Sequence, residues 1–259
     1  MISIGTKQSA YSRLRLSAFV GAIITAFMVV LVDQSAQAGE RSVNERQLRR
    51  DFMRVVMSAE FGGHTKFGRS VKKYDKTVRF AIINHAKRDR RAAVRDFIWT
   101  LRDKIDGLDT AVVSRPSRAN FRIHVVDQRQ YASVIRNHVY KSKSVTVRGQ
   151  CFVRVMPGRV GISETDVVIV SDRNEKIFQR CLVEEVLQGL GPLADRGHRK
   201  YSVFNTASKH TTFTLHDQIL LNALYDRRVR PGMSKSEVAK ILPAVIRDCV
   251  RRIVGGKRA

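Results

Sequence analysis

Two adjacent glutamates and a glutamine one helical turn further on stand out in residues 181–195, whose sequence is C-L-V-E-E-V-L-Q-G-L-G-P-L-A-D. They are Glu184, Glu185 and Gln188. A carboxylate in such a place can act as a general base on water, or it can bind a cation through oxygen. On a helical wheel these three residues and Cys181 fall within one arc of about 100°, and apolar residues cover most of the rest. We therefore predict a buried helix from about residue 174 to Gly191 with one polar stripe.

The stripe resembles the H-E-x-x-H helix of zinc peptidases with both histidines replaced. Glu184 and Gln188 occupy the two histidine positions, and Glu185 keeps the position of the general base. Zinc is bound by Cys, His, Asp or Glu, and an amide oxygen is a poor ligand for it. The pattern therefore predicts no metal and no other cofactor, and it argues against an enzyme.

The residues after the helix extend this comparison. In the longer H-E-x-x-H-x-x-G-x-x-H pattern a glycine turns the chain so that a third histidine reaches the metal. Gly191 keeps that turn, whereas Ala194 occupies the third ligand position and is followed by Asp195. Of the seven histidines, His198 is the one to test as a ligand. We expect Asp195 and His198 to line a cleft together with the polar stripe.

Two alternatives remain for the role of the stripe. Buried carboxylates need partners, since an unpaired buried charge is costly. Pairing with some of the many Lys and Arg side chains would make Glu184 and Glu185 structural. A hard cation such as Ca²⁺, bound through oxygen, or general-base catalysis by Glu185 would make the same residues functional.

The N-terminus predicts export. Lys7, Arg13 and Arg15 precede an apolar run over residues 16–32, and the sequence A-Q-A at residues 36–38 offers a small-x-small cleavage site. This order is typical of a secretory signal peptide. We expect cleavage after Ala38 and a periplasmic or secreted mature chain, the alternative being an uncleaved membrane anchor.

The charge of the chain indicates the kind of partner. The formal net charge is +25, and removal of the signal segment leaves roughly +23. A field of this size attracts anions, so an anionic envelope component or a membrane surface is the expected partner. A basic surface without a dedicated ligand is the alternative. Proteins that read nucleic acid usually add stacking aromatics or a recognisable module, and the sequence contains no such module, which disfavours nucleic acid.

Three cysteines allow one disulfide and one remaining thiol in an oxidising compartment. They are Cys151, Cys181 and Cys249. Their spacing matches no zinc or redox motif and leaves three alternative pairs open. Because Cys151 opens a strand-like run and Cys181 lies in the key helix, we favour that pair.

The periodicity of the chain predicts an α+β fold. Helices are predicted over 42–60, 90–105 and 174–191, and capping-box patterns at Thr214 and Ser234 open two more. Strands are predicted over 78–83, 119–126, 152–156 and 166–170. A mixed β-sheet packed against helices follows, with a flanking N-terminal helix and a C-terminal helix. This order is also that of a zincin-like domain.

Motifs downstream of the helix strengthen the resemblance. The sequences C-x-x-E-E-x-x-Q-x-L-G, S-x-F-N and L-Y-D-x-x-x-x-P-G-M follow one another, and Phe204 stands where zincins of the metzincin type have a turn methionine. Together they resemble domain-of-unknown-function family 2927, an uncharacterised bacterial exported family. The resemblance covers roughly residues 45–235 and implies a zincin-like fold with a degenerate site and no established activity.

Three segments and one function follow as expectations. Residues 1–38 form the signal peptide, 39–232 a single zincin-like α+β domain, and 233–259 a C-terminal helix and basic tail. The expected function is non-catalytic binding or a structural role in the envelope. The alternative is an atypical metal-dependent hydrolase or peptidase that uses Glu185 as its general base.

Overall fold

A five-stranded mixed sheet organises the fold. The computed structural model describes residues 44–58, 65–194, 201–205 and 209–256. The strands lie in the order β2-β1-β3-β5-β4. They are β1 Val78–Asn84, β2 Thr110–Val112, β3 Phe121–Val126, β4 Cys151–Pro157 and β5 Ile162–Val170. Strands β1, β2, β3 and β5 run parallel, and β4 returns antiparallel to β5 and forms one edge.

Six α-helices accompany the sheet in the part of the chain that the structure describes. They are α1 Glu45–Val55, α2 Arg91–Lys104, α3 Gln128–Val134, α4 Glu175–Gly189, α5 Leu215–Tyr225 and α6 Lys235–Gly255. A π-helical turn, Ile135–Tyr140, continues α3. Helices and a mixed sheet in this order confirm the predicted α+β class. None of the described helices is long and apolar enough to cross a membrane.

The two faces of the sheet carry different helices. Helix α4 packs against β5 and β4, and its last residue lies on the face of Phe121 and Thr165, because a Cβ added to Gly189 would come within 2.6 Å of Phe121 Cζ. Helix α3 packs on the opposite face, against Val126 and Val168. Since side chains alternate along a strand, this division follows from the odd and even positions of β3 and β5.

Of the two capping boxes predicted from sequence, the structure contains the one at Ser234, whereas Thr214 provides the N-cap hydrogen bond alone. Thr214 accepts a hydrogen bond from the backbone N–H of Asp217 at the start of α5. Ser234 and Glu237 form the reciprocal pair at the start of α6. Helix α6 packs against α1 and α5, so the first and last helices described are neighbours.

Two elements were not expected from the sequence. Helix α3 with its π-helical turn occupies residues 128–140, and β2 adds three residues to the far edge of the sheet. Strand β5 also begins four residues earlier than expected, at Ile162. The remaining elements lie within a few residues of their predicted bounds.

Candidate functional site

A cleft of about 620 Å³ lies between the edge strand β4 and helix α4. Glu184, Glu185 and Gln188, the residues of the polar stripe, line it together. The opposite wall comes from β4 and from residues 145–148 of the loop that precedes it. Each of the three polar residues is 8 % exposed, so they open only toward the cleft.

The amphipathic character of α4 explains why these side chains face the cleft. Asn174 caps the helix by accepting a hydrogen bond from Ile177 N at 2.9 Å. Leu182, Val186 and Leu187 are buried on the other sides of the helix. Burial of the apolar residues against the sheet therefore fixes the direction in which the polar stripe points.

A disulfide ties the two walls of the cleft together. Cys151, the first residue of β4, is bonded to Cys181 of α4, with a Cα–Cα distance of 5.6 Å. The pairing favoured from sequence is thus confirmed. Cys181 lies one turn before Glu185 on the same helix, so the bond fixes β4 beside the polar stripe. The third cysteine, Cys249, is a buried free thiol, and burial raises its pKa to about 11.

The carboxylates of the stripe belong to an electrostatic network. Glu184 Oε2 lies 4.0 Å from Arg180 NH1 one turn earlier, and neither Glu184 nor Glu185 lacks an interaction partner. The Tyr131 hydroxyl donates a hydrogen bond to Cys151 O at 2.8 Å. Burial and the nearby charge of Glu185 both raise the pKa of that phenol. These contacts favour the structural interpretation of the stripe over that of two unpaired charges.

The end of α4 is a tight turn. Gly191 has a φ of +139°, and a Cβ added there would lie 2.0 Å from Lys72 O. Only glycine fits such a position. Farther on, Ala194 is buried and its N–H donates to Val55 O. Asp195 and His198, also expected to line the cleft, lie outside the described residues.

The turn at residues 201–205 is held against the start of helix α5 by hydrogen bonds to one buried carboxylate. Asp217 accepts hydrogen bonds from Ser202 Oγ at 2.6 Å, from Val203 N at 2.9 Å and from Thr214 Oγ1 at 2.6 Å. Burial raises the pKa of this carboxyl group, and the three donors oppose that effect. Phe204, at the position compared with the turn methionine, is fully buried. Ser202 is therefore a positioning residue of this turn.

Three histidines meet on the opposite face of the sheet, a grouping that the sequence did not reveal. His85 Nε2 lies 3.2 Å from His124 Nδ1, and the His138 ring lies 5.6 Å and 6.1 Å from those two rings. His124 Nε2 is 3.8 Å from Asp166 Oδ1. Burial and the other two histidines lower the pKa of His85. The three histidines come together because of the strand register, which pairs Ile83 of β1 with His124 of β3. A register between two strands cannot be read from local periodicity.

Within the described ranges, no group of three or more His, Cys, Asp and Glu side chains is placed to hold a metal ion. The cluster of His85, His124 and His138 is therefore not such a group.

Comparison with known proteins gives one family. A family model described as "Protein of unknown function (DUF2927)" matches residues 45–244. The match begins at the first residue of α1 and ends within α6. A search of curated proteins finds no match to this chain.

Proposed function

The chain belongs to the family DUF2927, and on that premise we propose that it is an exported, non-catalytic binding protein of the cell envelope. Its binding site is the cleft between β4 and α4, a zincin-like site that has lost its metal ligands. The single observation that carries this proposal is the joint position of Glu184, Glu185 and Gln188 in the wall of that cleft.

The arrangement of sheet and helix supports the zincin-like interpretation. An antiparallel edge strand borders a cleft, and a buried helix with the E-E-x-x-Q sequence forms the other wall. The helix ends in a glycine turn at the position that the longer zinc motif requires. Glutamate and glutamine at the two histidine positions remove the nitrogen ligands on which tight zinc binding depends.

The disulfide and the charge support export. Disulfides persist in oxidising compartments such as the periplasm and the extracellular space, and they are rare in the cytosol. The bond between Cys151 and Cys181 is compatible with that location, as is the predicted signal segment. A net charge of +25 suits a partner with an anionic surface.

The edge strand indicates how a partner would bind. In the described part of the chain β4 pairs only with β5, so its other edge carries backbone N–H and C=O groups that another extended segment can use. Addition of a strand to such an edge is a common mode of peptide recognition. Arg148 and Arg154 line the same cleft and would favour an anionic segment. We therefore propose an extended, anionic part of an envelope component as the ligand.

Metal content is the first test. The purified protein and a Glu184→Ala/Glu185→Ala variant are dialysed gently and analysed by mass spectrometry for bound metal. We expect no stoichiometric metal in either sample, because the helix lacks nitrogen ligands. An Asp96→Ala/Asp103→Ala variant is the matched control, since both aspartates are exposed on α2 and the charge change is the same. A stoichiometric metal that disappears only in the glutamate variant would refute the non-catalytic proposal.

Binding provides the second test. The protein should bind anionic liposomes and anionic envelope polymers at low salt, and this binding should weaken as the salt concentration rises. The reason is that exposed charges are screened within about 8–10 Å at ordinary ionic strength. Indifference to salt and to all anionic surfaces would contradict an anionic partner.

A hydrolase is the second candidate, because Glu185 lines the cleft beside the edge strand β4. In that case Glu185 would take a proton from an attacking water. The test is a Glu185→Gln variant with an unchanged unfolding temperature. Loss of a measured activity in that variant would support the hydrolase, and retained activity would remove Glu185 from the mechanism.

A further inference from the structure

A second crevice, of about 540 Å³, lies at the carboxyl ends of three parallel strands. Its walls come from the loops that follow β1, β3 and β5, at residues 87–90, 127–129 and 171–175. It shares no lining residue with the cleft between β4 and α4. The crevice is therefore a separate site.

The topology of the sheet explains why a crevice lies at this position. From β1 the chain passes through α2 to β2, on one side of β1. From β3 it passes through α3 and β4 to β5, on the other side of β3. The two connections diverge at the carboxyl ends of β1 and β3, which are neighbours in the sheet. Such switch points leave a crevice in which open parallel sheets commonly bind ligands.

Two buried donors line this crevice without hydrogen-bond partners among the described residues. Ser171 is 5 % exposed, and its Oγ atom makes no hydrogen bond there. The Arg90 side chain is 6 % exposed. Its NH1 atom bonds to Glu175 and its NH2 atom to the Ser171 carbonyl, but its Nε atom has no partner within the described ranges. Buried polar atoms left unpaired are costly, so both donors call for an acceptor.

Three exposed cations stand at the rim of the same crevice, and one of them, Arg88, is paired with Glu175. The other two are Lys87 and Arg129, and neither has an ion-pair partner in the part of the chain that the structure describes. Three carboxylates also line the crevice, and each already has a protein partner. Asp127 accepts from Lys87 N, Asp172 accepts from Gln128 N, and Glu175 is paired with Arg90.

Helix α4 adds a further positive contribution. It begins at Glu175, in the wall of the crevice, and it is 15 residues long. The N-terminus of a helix carries partial positive charge, which favours an anion; of the first backbone N–H groups of α4, that of Ile177 is already bonded to Asn174. The buried donors, the rim cations and the helix end therefore point to the same class of ligand.

We propose that this crevice binds a phosphate-type oxyanion. A tetrahedral oxyanion offers acceptor oxygens in several directions, so it can satisfy Ser171 Oγ and Arg90 Nε at the base while Lys87 and Arg129 neutralise its outer oxygens. Inorganic phosphate and the phosphomonoester headgroup of a lipid share this chemistry. The bound group would also connect the ends of β1, β3 and β5.

The experiment is a calorimetric titration of the purified protein with inorganic phosphate at low salt. We expect saturable binding, and we expect Lys87→Gln/Arg129→Gln to raise the dissociation constant at least tenfold. Ser171→Ala should raise it about fivefold, as expected for the loss of one hydrogen bond. The control is Lys240→Gln/Arg251→Gln, which removes the same two charges from exposed positions on α6 and should change the constant less than twofold.

Vesicles distinguish the two sources of phosphate. Phosphatidylcholine vesicles with and without phosphatidic acid are tested for binding, with free phosphate as competitor. Competed binding that is lost in Lys87→Gln/Arg129→Gln would assign the site to a lipid headgroup, and phosphate binding without vesicle binding would assign it to a soluble ion. Unsaturable phosphate binding, or equal weakening in the control variant, would overturn the proposal.

Discussion

Reduction of the disulfide between Cys151 and Cys181 should lower the free energy of unfolding substantially. The two cysteines are 30 residues apart in sequence. For a loop of that length the chain-entropy relation gives a loss of about 12 cal/mol/K in the unfolded ensemble, or about 3.6 kcal/mol at about 25 °C. For a chain of this size the unfolding temperature should fall by roughly 7–14 °C.

Urea unfolding followed by circular dichroism measures this loss. The protein carries Cys249→Ala so that the third thiol cannot exchange, and oxidised and reduced samples of that same variant are compared. A Cys151→Ala/Cys181→Ala variant is the control and should not respond to reductant. Reduction should also speed amide exchange in β4 more than in β3, because β4 pairs with β5 alone among the described strands. A stability loss below about 1 kcal/mol would refute the argument from loop length.

Three further predictions concern glycine, lysine and histidine. Gly191→Ala should lower the free energy of unfolding by about 2–4 kcal/mol, because φ is positive there and the new Cβ would meet a backbone carbonyl. Gly255→Ala is the control: it has open space around it and should raise the free energy of unfolding by about 0.5–1 kcal/mol. Lys72→Met should lower the free energy of unfolding by about 2–4 kcal/mol, since the buried ammonium group donates hydrogen bonds to three backbone carbonyls. Lys76→Met changes an exposed lysine and should leave the free energy of unfolding nearly unchanged. Because the pKa of His85 is lowered in the folded state, the unfolded chain binds its proton first, and the free energy of unfolding should fall as the pH drops from 7 to 5. His85→Gln should flatten that slope in urea titrations, and an unchanged slope would remove His85 as its source.

Local signals explain what the sequence predicted well. The E-E-x-x-Q stripe, the glycine turn, the N-cap at Thr214 and the capping box at Ser234 each depend on residues within one or two turns of each other. The pairing of Cys151 with Cys181 followed from the placement of one in a strand and the other in the neighbouring helix. These local features are retained in the fold because burial of the apolar residues leaves the geometry of the helix ends and turns unchanged.

Helix α3 was missed although its signals are local. Asp127 and Gln130 form a capping box at its start. Tyr131, Val134 and Ile135 are buried at helical spacing. The segment then continues into a π-helical turn, which breaks the 3.6-residue period. The short strand β2 has too few residues for any periodicity to show.

Long-range placement explains the remaining differences. The histidine cluster and the crevice at Ser171 both depend on which strand lies beside which, and on the register between them. Neighbouring strands in this sheet are separated by many residues in sequence, so no local pattern specifies the contact of His85 with His124. The same limitation applies to Arg90, which reaches across to the end of β5.

The position of α1 has a consequence for the order of folding. This helix packs against α6. At its C-terminal end, the Val55 carbonyl accepts a hydrogen bond from the Ala194 N–H, and the Val56 carbonyl accepts one from the Lys72 ammonium group. Helix α1 also packs against α5, so both of its helical packing partners come from the C-terminal part of the described chain. A chain that emerges N-terminus first therefore cannot complete the packing of α1 until α5 and α6 have followed.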